Sequence, residues 1–219
     1  MSQEQFGAGK SQERKRDASP MSAEDLEALS ETLVAFDKGK ERALSVDTLT
    51  GLKSRGAFMS RAESVLQNLY AGRTHGRRQG SGTIDAVSFI AIDVDHFKSV
   101  NDTLGHGMGD VVLKEIAKKL ASSVRSSSDL VSRVGGEEMA ILFAGPKELA
   151  LQKAEEIRAA VEAMSLDEMQ GKSVTASFGV AEVGADEQPS LDEMLKRADV
   201  ALYQAKEAGR NRVVEYDAQ

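Results

Sequence analysis

The 219-residue chain carries 28 Lys+Arg against 35 Asp+Glu, a formal net charge of −7, and it has no cysteine. The missing thiols exclude a disulfide scaffold, a thiolate zinc site and a cysteine nucleophile. The acidic balance argues against a general nucleic-acid binder, which must meet the phosphate backbone with clustered cations.

The start, MSQEQFGAGK, lacks the apolar core of a signal peptide, and no apolar run approaches the ~18 residues of a membrane span. A cytoplasmic protein without a membrane span is therefore expected. Residues 1–20 are polar and end at Pro20, which predicts a flexible tail. A helix follows within 21–46: Ser22 can cap it, and Leu26, Leu29, Leu33 and Phe36 form an a/d stripe. Gly39 and Lys40 interrupt that stripe. It suits either a helix laid on its own domain or a short dimerising stalk.

The segment DTLTGLKSR, residues 47–55, predicts a turn leading into a second amphipathic helix with Phe58, Ala62, Val65 and Leu69 on one face. Residues 71–85 read as a Gly-rich loop carrying Arg73, His75, Arg77 and Arg78; a solvated loop is expected, with no ligand role for His75. Beyond it, strands are predicted at 86–93, 130–134, 139–144, 173–183 and 212–216, with Gly135-Gly136 turning a hairpin. Helices are predicted at 99–104, 109–124, 146–164 and 190–208, the last stopped by Gly209. The order β-α-α-β-β-α-β-α-β implies an α+β domain over 47–219 with a ferredoxin-like central antiparallel sheet flanked by helices.

Chemistry concentrates in three places. A buried-type strand runs into Asp93-Val94-Asp95-His96-Phe97-Lys98. Carboxylates at a strand end beside backbone carbonyls suit magnesium, a hard cation that takes oxygen ligands and substrate phosphates. The hairpin adds Glu137 and Glu138, and if it lies beside the first strand, a shared divalent cation relieves their repulsion with Asp93. NDTLGHGMGD, residues 101–110, holds Asn101, His106 and Asp110. A carboxylate accepting from N1–H and the exocyclic amine selects guanine over adenine. Capping of helices by Asn101 and Asp110 is the competing reading.

DTLTGLKSR, DVDHFKSVNDTLGHGMGD, RVGGEEM, VTASFGVA and ADVALYQAKEAGRNRV, in that order and spacing, resemble the GGDEF family of diguanylate cyclases. The resemblance implies a polymerase-palm-like fold that condenses two GTP into cyclic di-GMP and pyrophosphate. It implies that Asp93, Glu137 and the carbonyl of Val94 bind Mg²⁺, or Mn²⁺ in its place, with Glu138 completing the acidic cluster. Asn101 and Asp110 are implied to hold guanine, with His106 near the nucleoside. Lys98, Lys206 and Arg210 are implied to steady the phosphates, and Glu137 to accept the 3′-hydroxyl proton. Catalysis then needs a homodimer, which the 21–46 helix would promote while offering a surface to a regulatory protein.

Three departures from the family pattern stand out. Met139 replaces the usual Phe, a packing change that costs ~1.5 kcal/mol or less, and Ser54 replaces Asn but keeps a capping hydroxyl. Product-inhibited members carry Arg-x-x-Asp; here Asp129 has Ser126 at the Arg position, with Arg125 one residue out of register. Weak or absent product inhibition is expected. The alternative to an active cyclase is a catalytically silent GTP-binding or partner-docking module.

Overall fold

The computed structural model describes residues 45–74, 86–165, 173–184 and 187–217. The chain divides into two units, Met1–Lys40 and Glu41–Gln219, and every element below belongs to the second. The expected tail, almost all of the stalk helix and the loop over 75–85 lie outside the described residues.

Six strands form one sheet: β1 (Lys53–Ser54), β2 (Ser88–Val94), β3 (Leu130–Gly135), β4 (Glu138–Phe143), β5 (Ala176–Glu182) and β6 (Val213–Glu215). Their spatial order is β1-β3-β4-β2-β5-β6. The four central strands are antiparallel, as expected, in the order of a ferredoxin-like split βαβ core. The edges differ: β1 runs parallel to β3 and β6 parallel to β5, so the sheet is mixed. A two-residue strand such as β1 carries no alternation, which is why only its turn was visible in the sequence.

The helices are α1 (Arg55–Thr74), α2 (Phe97–Leu104), α3 (His106–Ser123), α4 (Lys147–Glu162) and α5 (Leu191–Glu207). Among the described residues, none is long and apolar enough to cross a membrane. α1 continues through 71–74, where a loop was expected, and its buried stripe is Phe58, Ala62, Leu66 and Leu69, with Val65 only half-buried. α2 and α3 begin earlier than their apolar pattern suggested, and β5 is shorter, since residues 173–175 lie outside it. Ser190 caps α5 by accepting from the Glu193 amide at 3.2 Å.

Strand alternation splits the core between the two faces of the sheet. Ile90, Ile92, Val94, Met139, Ile141, Phe143 and Phe178 pack with Ile116 of α3 and Ile157 of α4. Met139 is 1% exposed among these neighbours, consistent with a tolerated change from Phe. Phe89, Ala140, Leu142 and Ala181 pack with Phe58 of α1 and Met194 and Ala198 of α5. Each large side chain buried this way contributes about 1.5–3 kcal/mol. α5 lies unusually close to β5: a Cβ on Gly179 would stand 2.2 Å from both the Ala198 carbonyl oxygen and the Leu202 amide nitrogen. Glycine there sets the height of α5 above the sheet, and with it the position of Lys206.

Candidate active site

β4 lies beside β2, so the hairpin delivers its acids to the end of β2. Asp93 and Glu138 are directly paired across these strands, and residues so paired project to the same face. Lys206, in the last turn of α5, places Nζ 2.9 Å from Asp93 Oδ2. Burial raises the Asp93 carboxyl above its ordinary value; Lys206 opposes the rise, and Glu137 and Glu138 add to it. Lys206 thus partly compensates a cluster of carboxylates whose mutual repulsion is otherwise unfavourable. Among the described residues, no three acidic or imidazole groups are gathered tightly enough to hold a metal ion as they stand.

The hairpin turn is braced from outside. Arg133 Nε donates to the Gly136 carbonyl at 2.8 Å, and its Nη1 donates to both oxygens of Asp47 at 3.3 Å. Asp47 also accepts from the amide and hydroxyl of Thr50, which closes the turn opening the domain. Ser54 accepts from the Ala57 amide at 3.4 Å, so the capping hydroxyl is used.

Asn101 and Asp110 sit on the successive helices α2 and α3. A Cβ on Gly109 would stand 2.0 Å from Asn101 Oδ1 and 3.0 Å from Phe97 Cζ. Gly109 therefore lets the Asn101 carboxamide lie against the turn of α3 that carries Asp110. Neither residue caps a helix; His96 and Gly105 occupy the N-cap positions. Lys98 and His106 are exposed in the first turns of α2 and α3, with no partner among the described residues.

α5 ends in a Schellman motif: the Gly209 amide donates to the Lys206 carbonyl and the Arg210 amide to the Ala205 carbonyl at 3.0 Å. The next two residues are left-handed although neither is glycine, Arg210 at φ 65 and Asn211 at φ 48. Such a conformation costs roughly 1–2 kcal/mol per residue, and hydrogen bonds offset it. The Asn211 amide donates to Asp95 Oδ2 at 3.0 Å, Arg158 Nη1 to Asn211 Oδ1 at 2.8 Å, and Asn211 Nδ2 to Glu162 Oε1 at 2.7 Å. Asp95 also accepts from Thr175 Oγ1 and Ser177 Oγ, each at 2.7 Å. It therefore belongs to the scaffold, apart from the acids of the Asp93 cluster. The sequence grouped Asp95 with Asp93 as a strand-end carboxylate suited to magnesium, and the structure corrects this, because its oxygens are taken by Thr175, Ser177 and Asn211. Asn211 is the residue sequence reasoning passed over; an Asn two positions beyond a capping glycine was the available signal, since Asn tolerates left-handed backbone.

Asp129 is likewise committed to the fold. Its buried carboxylate takes the Arg125 amide, the Arg125 guanidinium, the Ser128 hydroxyl and the Ala144 amide. Arg125 turns back onto this pair and stacks over the Phe143 ring at 4.9 Å.

The chain and its fold find counterparts in known proteins. The family described as "Diguanylate cyclase, GGDEF domain" matches residues 44–212. The chain is 41% identical to diguanylate cyclase VdcA of Vibrio cholerae over 174 residues, covering 77% of this chain and 46% of that protein. The solved coiled coil and GGDEF domain of DgcB from Caulobacter crescentus, in complex with c-di-GMP, superposes with a TM-score of 0.73 at 29% identity. That match covers 88% of this chain and 96% of the DgcB chain. Diguanylate cyclase SiaD of Pseudomonas aeruginosa, solved with its activator SiaC, matches with a TM-score of 0.66 at 32% identity, covering 88% and 70% of the two chains. The chain spans less than half the length of the curated relatives it matches.

Proposed function

Because the chain belongs to the GGDEF diguanylate cyclase family, we propose that it condenses two GTP molecules into cyclic di-GMP and two pyrophosphates. The observation that carries this reading is the facing pair Asp93 and Glu138, with Lys206 on Asp93. Acidic oxygens beside an ammonium group are what a magnesium nucleotide needs: ligands for the ion and a cation for the phosphates.

The donor set contains only oxygen, which fits Mg²⁺ or Mn²⁺ and not a soft metal. Asp93, Glu137, Glu138 and the Val94 carbonyl are the groups that would hold the ion. When bound, it supplies Lewis-acid stabilisation of charge on the phosphate oxygens. In each half-reaction the 3′-oxygen of one GTP forms a bond to the α-phosphorus of the other, and the bond from that phosphorus to the bridging oxygen breaks. Pyrophosphate leaves with the electron pair, and Glu137 takes the 3′-hydroxyl proton. Lys98, Lys206 and Arg210 neutralise charge as it develops on the phosphates. Asn101 and Asp110 read the guanine edge, and His106 lies beside the nucleoside. Asp110 favours GTP over ATP because adenine presents the opposite donor pattern at N1 and C6.

One domain offers one GTP site, so the active species is a homodimer with two sites face to face. Residues 21–46 promote it as a stalk and offer a surface for a regulatory protein. The coiled coil of DgcB and the activator bound by SiaD support this part of the proposal. Deleting residues 1–45 then makes turnover steeply dependent on protein concentration. An unchanged dependence overturns the stalk.

The deciding experiment incubates purified protein with GTP and Mg²⁺ and identifies products by chromatography. Cyclic di-GMP and pyrophosphate are expected. Intact GTP binding with no product at any protein concentration identifies a silent module instead.

A further inference from the structure

We propose that Asp95 is a positioning residue: its buried carboxylate clamps the left-handed Arg210–Asn211 pair and thereby aims Arg210 at the triphosphate. The target of Arg210 rests on the cyclase reading above; the clamp rests on geometry alone.

Asp95 is 5% exposed, and three donors converge on its carboxylate: Thr175 Oγ1, Ser177 Oγ and the Asn211 amide. The two hydroxyls come from β5 and the residue leading into it, and the Asp95 amide itself donates to the Thr175 carbonyl at 2.9 Å. Carboxylate and backbone are thus both fixed to the sheet, which makes Asp95 a rigid acceptor. What it holds is the peptide unit joining Arg210 to Asn211. With the Arg210 amide fixed to the Ala205 carbonyl on its other side, holding that unit fixes the backbone at the Arg210 Cα, from which the side chain leaves.

That peptide needs holding. Two successive non-glycine residues at positive φ return to the favoured region unless their surroundings prevent it. The Asn211 side chain is held separately by Arg158 and Glu162 of α4. These bonds anchor the loop, while the 210–211 peptide itself is held at both ends: its carbonyl accepts from Nε of the exposed Arg212 at 3.0 Å, and its amide donates to the buried Asp95 carboxylate, the more rigid of the two partners. Arg210 itself has no ion-pair partner among the described residues, so its charge remains available to a ligand.

The sequence DVD thus divides its labour. Asp93 faces Lys206 and the acidic hairpin, while Asp95, two residues on, orients the arginine that follows the same helix.

The test measures binding of the α,β-methylene analogue of GTP with Mg²⁺, and of guanosine, to the full chain. The variants are Asp95→Ala, Asp95→Asn, Arg210→Ala and the double Ala variant. Asp95→Ala is expected to weaken the triphosphate analogue on the order of tenfold, the scale of one hydrogen bond to a charged group, and to leave guanosine unchanged. Asp95→Asn restores most of this loss, because its carboxamide oxygen still accepts from the Asn211 amide. In the Arg210→Ala background, Asp95→Ala adds less than about twofold, since the two act through one route.

Independent, multiplying losses in the double variant overturn the inference, as do equal losses for guanosine and the analogue. An Arg210→Ala variant with unchanged affinity overturns instead the assignment of Arg210 within the cyclase reading. Should Asp95→Ala not fold, Ser177→Ala, which removes one hydroxyl orienting the carboxylate, must show the same selective loss. A loss common to both ligands there again overturns the clamp.

Discussion

Arg133 bonds both carboxylate oxygens of Asp47 across 86 positions of sequence while its Nε holds the carbonyl of Gly136. One guanidinium therefore ties the turn that opens the domain to the turn that presents Glu137 and Glu138. Burial pushes the Asp47 carboxyl up, but the Thr50 hydrogen bonds and Arg133 outweigh it and hold it below the ordinary carboxylate value. A depressed carboxyl contributes stability above its unfolded pKa and loses it as pH falls through the folded one. Arg133→Ala is expected to cost about 1–3 kcal/mol at neutral pH and to lower turnover by loosening the hairpin. The stability difference from the parent, followed by denaturant titration, shrinks as pH falls below the carboxylate range.

Asp93 has the opposite sign. Its carboxyl is raised, first by burial, with Glu137 and Glu138 adding to the rise against Lys206. A raised acid is most favourable to the fold when protonated, and that contribution disappears as pH rises through the folded pKa. Asp93→Asn should therefore raise the melting temperature of the metal-free protein at neutral pH while abolishing turnover. The gain fades toward acidic pH. A neutral-pH loss of stability, or near-normal rates, contradicts this account of the site.

Two glycines test how closely helices must approach. Gly179→Ala drives a Cβ into the backbone of α5 at Ala198 and Leu202, and the helix carrying Lys206 must move. A stability loss of about 1–3 kcal/mol accompanied by a fall in turnover is expected. Gly109→Ala instead displaces the Asn101 carboxamide. Its main effect should be a rise in KM for GTP with little change in melting temperature.

The Asp129 carboxylate is filled by Arg125, Ser128 and the Ala144 amide, and Ser126 cannot supply an arginine fork. Cyclic di-GMP should inhibit weakly or not at all. Asp129→Ala should cost about 1–3 kcal/mol by orphaning its donors, without changing inhibition. Sub-micromolar binding of cyclic di-GMP to the protein, lost in Asp129→Ala, contradicts this.

Apolar patterning with turn and cap residues located the central strands and the described helices, because these signals are local properties of the chain. The spacing of DVDHFKSVND, RVGGEEM and KEAGRNR supplied the candidate site residues and left the −7 charge compatible with the proposed nucleotide ligand. Boundaries slipped where local signals conflict. α3 starts through His106-Gly-Met-Gly, where two glycines mask the helix, and α1 outlasts its apolar stripe. β6 was legible at 212–216 and is shorter, Val213–Glu215, whereas β1 was not, since a strand of two residues is made by the edge it joins.

What the tertiary structure decided is which of several similar residues does which task. Asp93 and Asp95 share a strand end; residue type and spacing do not separate them, and the family resemblance assigned a role to Asp93 alone. Packing separates them: Lys206 on α5 meets one, and Thr175, Ser177 and Asn211 enclose the other. The same holds for Asp129, which the sequence placed as the Asp of an Arg-x-x-Asp pattern lacking its Arg, and which the fold makes a buried bracket for Arg125. Residue type and spacing are carried by the chain itself, but the partner that fixes a carboxylate's role arrives from distant sequence, and only the folded packing selects it.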